Sequence, residues 1–272
     1  MTLLQHRNGA MNWSSWHNHT GDGPRFSYCG AADLTPEVYR RALRQGPWRA
    51  FALTEHAFSL AFPEEESWPP KWYHHPERLR EHRAYRDDKT AQFLDRLSKV
   101  CDGEKIFGGL EVEVACDGTL SMDSVLWPYL HVVIGSIHFL PGDSKSWNDA
   151  HMMQLNTLLC YPIDILGHPF RMLEEAGPVP DEIIDETLHC AKEAGVAIEI
   201  NAHKPFDRDA EVLARAVKLG LRVAFGLDAH SRHELQSHTY FEQVVRDSGI
   251  NPSQLRLFQP TRKVPKARVL VR

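Results

Sequence analysis

The chain has 272 residues, of which 42% are hydrophobic and 25% are charged, and its net charge is −5. This composition is that of an ordinary globular protein, and the acidic balance argues against a surface that coats nucleic acid. No apolar run is long enough to span a bilayer and the N-terminus lacks a secretory signal pattern. We therefore expect a cytoplasmic protein without a membrane partner.

Short apolar or β-branched runs alternate with longer helical patterns along the chain. The predicted strands are SSWHNHT, RAFALTEH, KIFGGLEVEV, HVVIGSIHF, DILGHPF, VAIEINAH and RVAFGLDAH. The predicted helices are TPEVYRRALRQG, a charged segment from Pro76 to about Val100, WNDAHMMQLNTLLC, PDEIIDETLHCAKEAG, RDAEVLARAVKLG and RHELQSHTYFEQVVRDSG. Strands that alternate with helices indicate parallel pairing with right-handed crossovers.

Seven such repeats could close into a (β/α) barrel or lie open as a doubly wound sheet. Nearly every predicted strand ends in His, Glu or Asp, and shared chemistry requires these side chains to converge. A barrel gathers the carboxyl ends of all its strands at one mouth, which favours the barrel. We predict one α/β domain over residues 1–272, with a core of about 13–248 and a basic tail at 250–272.

Two segments depart from the alternation. The loop FSLAFPEEESWPPKWYHHPERL follows the second strand at the presumed mouth, and we favour a lid there over a simple insertion. The basic C-terminal segment RLFQPTRKVPKARVLVR favours a solvated or edge-packed tail over a dedicated anion site.

The cysteines restrict the kind of metal site. The five of them are Cys29, Cys101, Cys116, Cys160 and Cys190, and no two have the CxxC spacing. Such a dispersed, odd-numbered set predicts reduced thiols rather than disulfides or a cysteine-type zinc site. Any metal should then be held by His, Asp and Glu.

The motif HNH, with His17 and His19, is ambiguous by itself, since it fits either a metal-binding pair or a partnered pair of strand histidines. The residues at all the strand ends, taken together, favour metal binding. They are His17, His19, Glu55, His56, Glu111, Glu113, His138, His168, Glu199, Asp228 and His230. This is more than one tetrahedral ion needs, and it indicates two or three divalent ions.

The donor types narrow the metal and the reaction. Nitrogen and oxygen donors without sulfur favour Zn, Mn or Fe. Neighbouring divalent ions can share a hydroxide and clamp the oxygens of a phosphate during in-line displacement. Hydrolysis is therefore the expected reaction class.

The ordered series HNHT, LTEH, GLEVEV, IGSIHFL, GHP, EIN and GLDAH resembles the PHP (polymerase and histidinol phosphatase) family over about residues 15–235. Within that family, ALTEHAF and HVVIGSIHFL are most similar to the histidinol-phosphatase branch. The resemblance implies a distorted (β/α)7 TIM-like barrel of the PHP type, up to three metal ions and phosphoesterase activity.

Residue by residue, the resemblance implies a ligand set. His17, His19 and Asp228 resemble the ligands of a first ion, and Glu111 resembles a bridging carboxylate. His56 and His138 resemble ligands of a second ion, and His168 and His230 resemble those that complete the cluster. Glu55 stands where the family often has Asp, and Glu113 has no dependable ligand as its counterpart, so neither is included.

The sequence departs from the family pattern after the first histidine pair. Many members supply a further histidine there, which helps to hold a third ion. This chain instead has GDGPRFS, with Arg25 near the expected position and Asp22 as the only obvious oxygen donor. A third ion is therefore either absent or dependent on Asp22.

The predicted mechanism is attack by a metal-bridging hydroxide on a small phosphorylated substrate, most simply a phosphate monoester. Asp228 and Glu111 would act as catalytic ligands of the ions, and His203 would protonate the leaving group. Cations that follow strand ends would orient the phosphate, and these are Arg25, Arg171, Lys204 and Arg232.

Three alternatives are less well supported by the residues. A nuclease or other phosphodiesterase of the same family typically has a more basic, extended groove. An amidohydrolase also begins with His-x-His, but it typically uses eight strands and often a carboxylated lysine, where this chain has Glu111. A non-catalytic scaffold would have no reason to place metal-competent side chains at nearly every strand end.

Overall fold

The computed structural model describes residues 12–264, in which one parallel sheet holds eight strands in sequential order. The strands are β1 (Trp13–Ser15), β2 (Trp48–His56), β3 (Ile106–Val112), β4 (Val132–Gly135), β5 (Ile165–Leu166), β6 (Ala197–Asn201), β7 (Arg222–Gly226) and β8 (Arg256–Leu257). Sequential parallel order with intervening helices is the arrangement of a (β/α) barrel.

The longer helices pack on the outer face of the sheet, and several short ones lie in the loop after β2. The helices are α1 (Pro36–Gln45), α2 (Ala57–Ala61), α3 (Pro69–Trp72), α4 (Arg78–Glu81), α5 (Arg83–Val100), α6 (Trp147–Leu159), α7 (Arg171–Glu174), α8 (Asp181–Ala194), α9 (Asp209–Leu219) and α10 (His238–Asp247). Within residues 12–264, none of them combines the length and the apolar character needed to cross a bilayer.

The predicted barrel-type α/β fold is confirmed, and all seven predicted strands are present, most of them shorter than the runs suggested. The tail adds an eighth strand, because Arg256 and Leu257 pair in parallel with β7. The last predicted helix is divided into a 3₁₀ turn at Arg232–Gln236 and α10. Residues 265–272 of the predicted tail lie outside the described residues.

The two faces of the sheet differ in what they bury. Residues such as Phe51, Leu53 and Val133 face outward and join the large core beneath the helices. Their neighbours in sequence, such as Ala52 and Val132, belong to a smaller apolar cluster on the inner face. Because successive side chains of a strand point to opposite faces, this alternation also determines which polar residues face inward further along each strand.

The sheet curls back on itself at its carboxyl end. The backbone N–H of Trp16 donates to Phe225 O at 2.9 Å, and the N–H of Asp228 donates to His17 O at 2.8 Å. These bonds join the segment after β1 to the segment after β7. The carboxyl ends of the strands therefore surround one mouth.

Candidate metal centre

The inner face of the barrel changes from apolar to polar toward the mouth. On β2, Ala52 lies in the inner apolar cluster and is followed on the same face by Thr54 and His56. On β3, Phe107 is followed at the same parity by Gly109 and Glu111. Strand alternation thus delivers an apolar floor and a layer of metal-competent groups above it.

His17 and His19 both reach the mouth, but they lie beyond β1 rather than within it, which corrects the longer strand predicted for SSWHNHT. The segment leaves β1 to bond with β7, and Asn18 bridges to Ala229. The side chain of Asn18 points the other way and donates to Ala52 O at 2.8 Å. The two imidazoles therefore still share a direction, and both are fully buried.

Glu111 is the centre of the cluster. One carboxylate oxygen, Oε2, lies 3.1 Å from Nε2 of His17 and 2.7 Å from Nδ1 of His56. The other, Oε1, lies 3.1 Å from Nε2 of His168 and 3.3 Å from Nε2 of His138. A buried carboxylate surrounded by four imidazoles from four strand ends has the arrangement of a bridging ligand.

Asp228 and His168 reach the cluster through unusual backbone conformations. Both residues have positive φ, 49° for Asp228 and 25° for His168, which costs non-glycine residues free energy and is concentrated at functional sites. Strict alternation after Leu166, which packs in the outer core, would turn His168 outward. The positive φ turns it inward instead, and Asp228 Oδ1 lies 2.9 Å from Nε2 of His19.

Glu199, on β6, holds the first histidine in place. Its Oε1 lies 2.9 Å from Nδ1 of His17, and its Oε2 accepts from the backbone N–H of His168 at 2.7 Å. This contact leaves Nε2 of His17 directed at the cluster. Carboxylates commonly orient metal-bound histidines in this way. Glycine is required at Gly226, since a Cβ there would lie 1.8 Å from Oε1 of Glu199.

Glu113 was left out of the predicted ligand set, and the structure brings it to the cluster. Its Oε1 lies 3.1 Å from Nδ1 of His138 and 4.0 Å from Nδ1 of His56, while Ser121 Oγ donates to Oε2 at 2.9 Å. Glu113, Glu111, His56 and His138 form a group of four residues that could hold a cation. The position of Glu113 two residues after Glu111, on the same face, was the available sequence signal.

Glu55 is adjacent to His56 but faces the opposite side of β2. Its carboxylate accepts from the backbone N–H of Thr20 at 3.1 Å and from Oγ1 of Thr20 at 2.5 Å. Its nearest cluster nitrogen, Nδ1 of His19, is 4.0 Å away. The contacts favour a structural role for Glu55, in keeping with its omission from the ligand set.

The segment after the first histidine pair contributes a different residue from the one expected. The structure does not place Asp22 at the cluster, because its carboxylate forms an ion pair with Arg96. Instead, Cys29 lies in a group with His19, His56 and His230 whose ligand atoms are all within 4.8 Å of one another. Sequence reasoning missed Cys29 because it looked for oxygen and nitrogen donors alone.

The loop after β7 carries His230 and is organised by Glu234. Glu234 Oε2 accepts from the backbone N–H groups of His230 at 2.7 Å and of Ser231 at 2.6 Å, which with Ser231 forms a capping box. Its Oε1 forms a very short hydrogen bond with Nδ1 of His203. The rings of His203 and His230 lie 4.2 Å apart, so the predicted acid sits at the edge of the cluster.

The four predicted phosphate-binding cations separate into two pairs. Arg171 and Lys204 line a recess together with His168, Glu199 and Asn201. Nη1 of Arg171 lies 3.9 Å from Oδ2 of Asp228.

The other pair has carboxylate partners outside the cluster. Arg25 lies 3.1 Å from Glu64 and Arg232 lies 3.3 Å from Asp33, and both guanidinium side chains are more than 40% exposed. The geometry therefore favours Arg171 and Lys204 as anion-binding groups over Arg25 and Arg232.

The carboxylates and imidazoles of the cluster shift one another's pKa values. Burial would raise the pKa values of Glu111 and Asp228, but nearby histidines, His17 foremost, lower them well below their ordinary range. Burial lowers the pKa values of His56 and His230 to about 4. Burial would also lower the pKa values of His17 and His138, but Glu111 raises them, that of His138 to about 9. A cation that binds to these two imidazoles therefore displaces their protons, because metal ions bind neutral imidazole.

Several potential ligand atoms of the cluster have no hydrogen-bond partner among the described residues. Among the described residues, Nε2 of His17, both ring nitrogens of His56, Nδ1 of His168 and Oε2 of Glu111 are buried and make no hydrogen bond. Buried polar atoms are normally satisfied, so such a concentration needs an explanation. The donor set fits divalent cations, and the overlapping groups indicate a centre for more than one of them.

A separate buried carboxylate gives a test of stability against pH. Asp209 accepts from Tyr240 at 2.7 Å and from the N–H of Phe206 at 3.3 Å, and burial raises its pKa from 3.8 to about 7. The folded state therefore holds a proton that the unfolded chain loses above pH 4, so stability falls as pH rises from 4 toward 7. We expect Asp209→Asn to remove this loss, with a relative gain of roughly 4 kcal/mol at pH 8 that vanishes near pH 4.

The measurement is urea unfolding of wild type and variant, both stripped of metal, at several pH values between 4 and 8. A stability difference that does not change with pH would contradict the buried, protonated state of Asp209.

The chain is similar in sequence to proteins named as a phosphatase and as a polymerase. The chain is 28% identical over 168 residues to a probable phosphatase of Thermoanaerobacter sp. (strain X514), covering 58% of this chain and 65% of the relative. It is 30% identical over 155 residues to the DNA polymerase/3′-5′ exonuclease PolX of Bacillus subtilis (strain 168), covering 54% of this chain and 26% of the relative. The matches thus span less than two thirds of the length of either relative. No family model matches the chain.

The fold is similar to a solved structure from Listeria monocytogenes that is assigned as a histidinol phosphatase. The TM-score is 0.55 at 15% sequence identity, over 84% of this chain and 99% of the other. The sequence relatives are thus named as a probable phosphatase and as a polymerase/exonuclease, which are the kinds of activity for which the PHP family is named, and the solved structure shows the fold. The predicted resemblance to that family is confirmed.

Proposed function

We propose that this protein is a metal-dependent phosphoesterase, most specifically a phosphomonoesterase that acts on a small phosphorylated substrate. The observation that carries the proposal is the buried carboxylate of Glu111 in contact with His17, His56, His138 and His168. The names of the relatives, probable phosphatase and polymerase/exonuclease, support the same reaction class.

Two or three divalent cations, of Zn, Mn or Fe, would be held by the predicted ligands together with Glu113. When bound, they would supply Lewis-acid stabilisation of phosphoryl oxygens and a water of lowered pKa. The protein's own contribution is to fix the ligands. Glu199 orients His17, Glu113 lies against His138, and Asp228 lies against His19.

The phosphate would lie beside Arg171, whose buried Nε makes no hydrogen bond among the described residues. Lys204 lines the same recess and adds a second positive charge. A guanidinium can bind two phosphate oxygens at once, which fixes their orientation. These two residues would hold the anion while leaving its ester oxygen toward the mouth.

His203 is the proposed proton donor to the leaving alkoxide. The pKa of Glu234 is lowered to about 2, because hydrogen bonds, that of His203 first, outweigh the effect of burial. The ionised Glu234 contacts Nδ1 of His203 and so orients the ring, which makes Nε2 the nitrogen that would donate the proton.

The loop after β2 would cover the leaving group. Trp68 is 44% exposed, and its ring lies 5.2 Å from Phe58 and 6.1 Å from His56. An exposed aromatic ring beside a ligand histidine offers an apolar surface at the mouth. This supports the predicted lid, with contact to the non-phosphate part of the substrate.

A second candidate function is cleavage of phosphodiesters, which the similarity to PolX, named as a 3′-5′ exonuclease, favours. The net charge of −5 favours the small monoester instead.

One experiment separates the two. The full chain is stripped with a chelator, reloaded with Mn²⁺, Zn²⁺ or Fe²⁺, and assayed against phosphomonoesters, including histidinol phosphate, and against bis-p-nitrophenyl phosphate and oligonucleotides. We expect turnover of monoesters that chelation abolishes and metal restores. Faster cleavage of diesters would establish the second function, and no turnover of any ester with any metal would refute both.

A further inference from the structure

We infer that Cys29 is a metal ligand, and that its thiolate, together with the imidazoles of His56 and His230, holds one cation of the centre at a mixed sulfur and nitrogen site. The inference rests on the metal binding of the proposed function. It goes further by assigning a sulfur ligand where the sequence predicted nitrogen and oxygen alone.

The geometry brings Cys29 into a group of four ligand residues. A single ligand atom from each of Cys29, His19, His56 and His230 lies within 4.8 Å of the other three. The ring of His19 stacks on that of His56 at 4.2 Å and lies 4.8 Å from that of His230. These distances are short enough for one ion to draw the side chains together.

The orphaned nitrogens of His56 are an independent sign of a missing ligand. His56 is buried, with 3% of its surface exposed, and neither of its ring nitrogens forms a hydrogen bond within the described part of the chain. Nδ1 faces the carboxylate of Glu111 at 2.7 Å. Among the described residues, no ion pair involves Nε2 of His56. A cation beside Cys29 would satisfy it.

The loop that carries Cys29 is held against the cluster by its neighbours. Oγ of Ser27 accepts from the backbone N–H of His56 at 3.1 Å and lies 3.2 Å from Nδ1 of His19. The hydroxyl of Tyr28 donates to Phe62 O at 3.0 Å. On the other side of Cys29, the N–H of Ala31 donates to His230 O at 2.8 Å, so contacts on both sides hold the segment that carries the sulfur.

A sulfur ligand changes which metal ions the site prefers. Binding replaces the thiol proton, which is released to solvent, and forms one bond between sulfur and the cation. Thiolate favours Zn²⁺ or Co²⁺ over Mn²⁺ and Mg²⁺, whereas the carboxylate-rich groups around Glu111 accept harder ions. The centre would thus hold one thiophilic cation beside one or two ions of different preference.

The test is a titration of the chelator-stripped, reduced full chain with Co²⁺, followed by absorption in the near ultraviolet. We expect a sulfur-to-cobalt charge-transfer band that saturates with one equivalent of cobalt and disappears on addition of Zn²⁺. Cys29→Ser should lose the band and one equivalent of cobalt. Cys29→His should keep the stoichiometry without the band, which guards against a variant that fails to fold.

The matched control is Cys190→Ser, since Cys190 is a partly buried cysteine on α8 that belongs to none of the ligand groups. This variant should retain the band. Cobalt binding without a charge-transfer band in wild type, or a band that survives Cys29→Ser, would overturn the assignment and leave the phosphoesterase proposal standing. Failure to bind any cobalt or zinc would refute the assignment, and failure to bind Mn²⁺ and Fe²⁺ as well would also refute the metal dependence.

Discussion

Glu111→Gln should lower kcat/KM for phosphate esters by about 10³-fold and remove at least one equivalent of bound metal. The carboxylate lies within 3.3 Å of four imidazole nitrogens, so its loss affects every part of the cluster. Metal stabilisation of a phosphoryl transition state amounts to several kcal/mol, and each 1.36 kcal/mol corresponds to about a tenfold change in rate.

Metal content measured by atomic emission, together with steady-state kinetics, checks this expectation. For metal content the matched control is Asp209→Asn, because it also replaces a buried carboxyl group by an amide and Asp209 belongs to none of the ligand groups. This variant should bind as much metal as wild type. If Glu111→Gln retains both its full metal content and its activity, Glu111 is not a bridging ligand.

The inner face of the barrel explains why so much of the centre could be predicted. Glu111 and His56 each stand at even spacing from a buried apolar residue of the same strand, Phe107 and Ala52 respectively. Alternation within a strand is a local property, so sequence alone determines the face of these side chains. Parallel topology then brings the strand ends to one mouth.

Contacts that depend on irregular backbone could not be read in this way. His168 lies beyond β5, has a positive φ and contacts Glu111, and strand alternation does not predict that turn. Cys29 and Asp22 lie in one loop, and only the fold shows that Arg96 pairs with the carboxylate while the thiol approaches His56. Which of these side chains faces the cluster depends on residues distant in sequence, and propensity and periodicity do not encode such contacts.

The positively charged loop residues show the same limit of prediction from sequence. Arg25, Arg171 and Arg232 all follow strand ends, and sequence alone treats them alike. The structure separates them by their partners, since Glu64 and Asp33 pair with the first and the last. Which cation remains available for a ligand is a tertiary property.

Arg171→Ala should therefore lower kcat/KM by about 10²-fold, mostly through KM, with bound metal unchanged. A charge-assisted hydrogen bond contributes about 1.5–3 kcal/mol, which corresponds to roughly one to two orders of magnitude in rate. Arg171→Lys should restore part of the loss, because the charge returns without the bidentate geometry. Arg232→Ala, which removes an exposed partner of Asp33, should change kcat/KM by less than about threefold.

The comparison of these variants also excludes a purely structural role for Arg171. Its Nη1 lies 3.9 Å from Oδ2 of Asp228, so loss of the guanidinium could in principle disturb that ligand. In that case Arg171→Ala would lose metal and kcat would fall with it. Equal effects of Arg171→Ala and Arg232→Ala would contradict the assignment of the phosphate to the recess. A rise in KM at constant metal content, with inorganic phosphate losing affinity as a competitive inhibitor in parallel, is the result expected if Arg171 binds the phosphate itself.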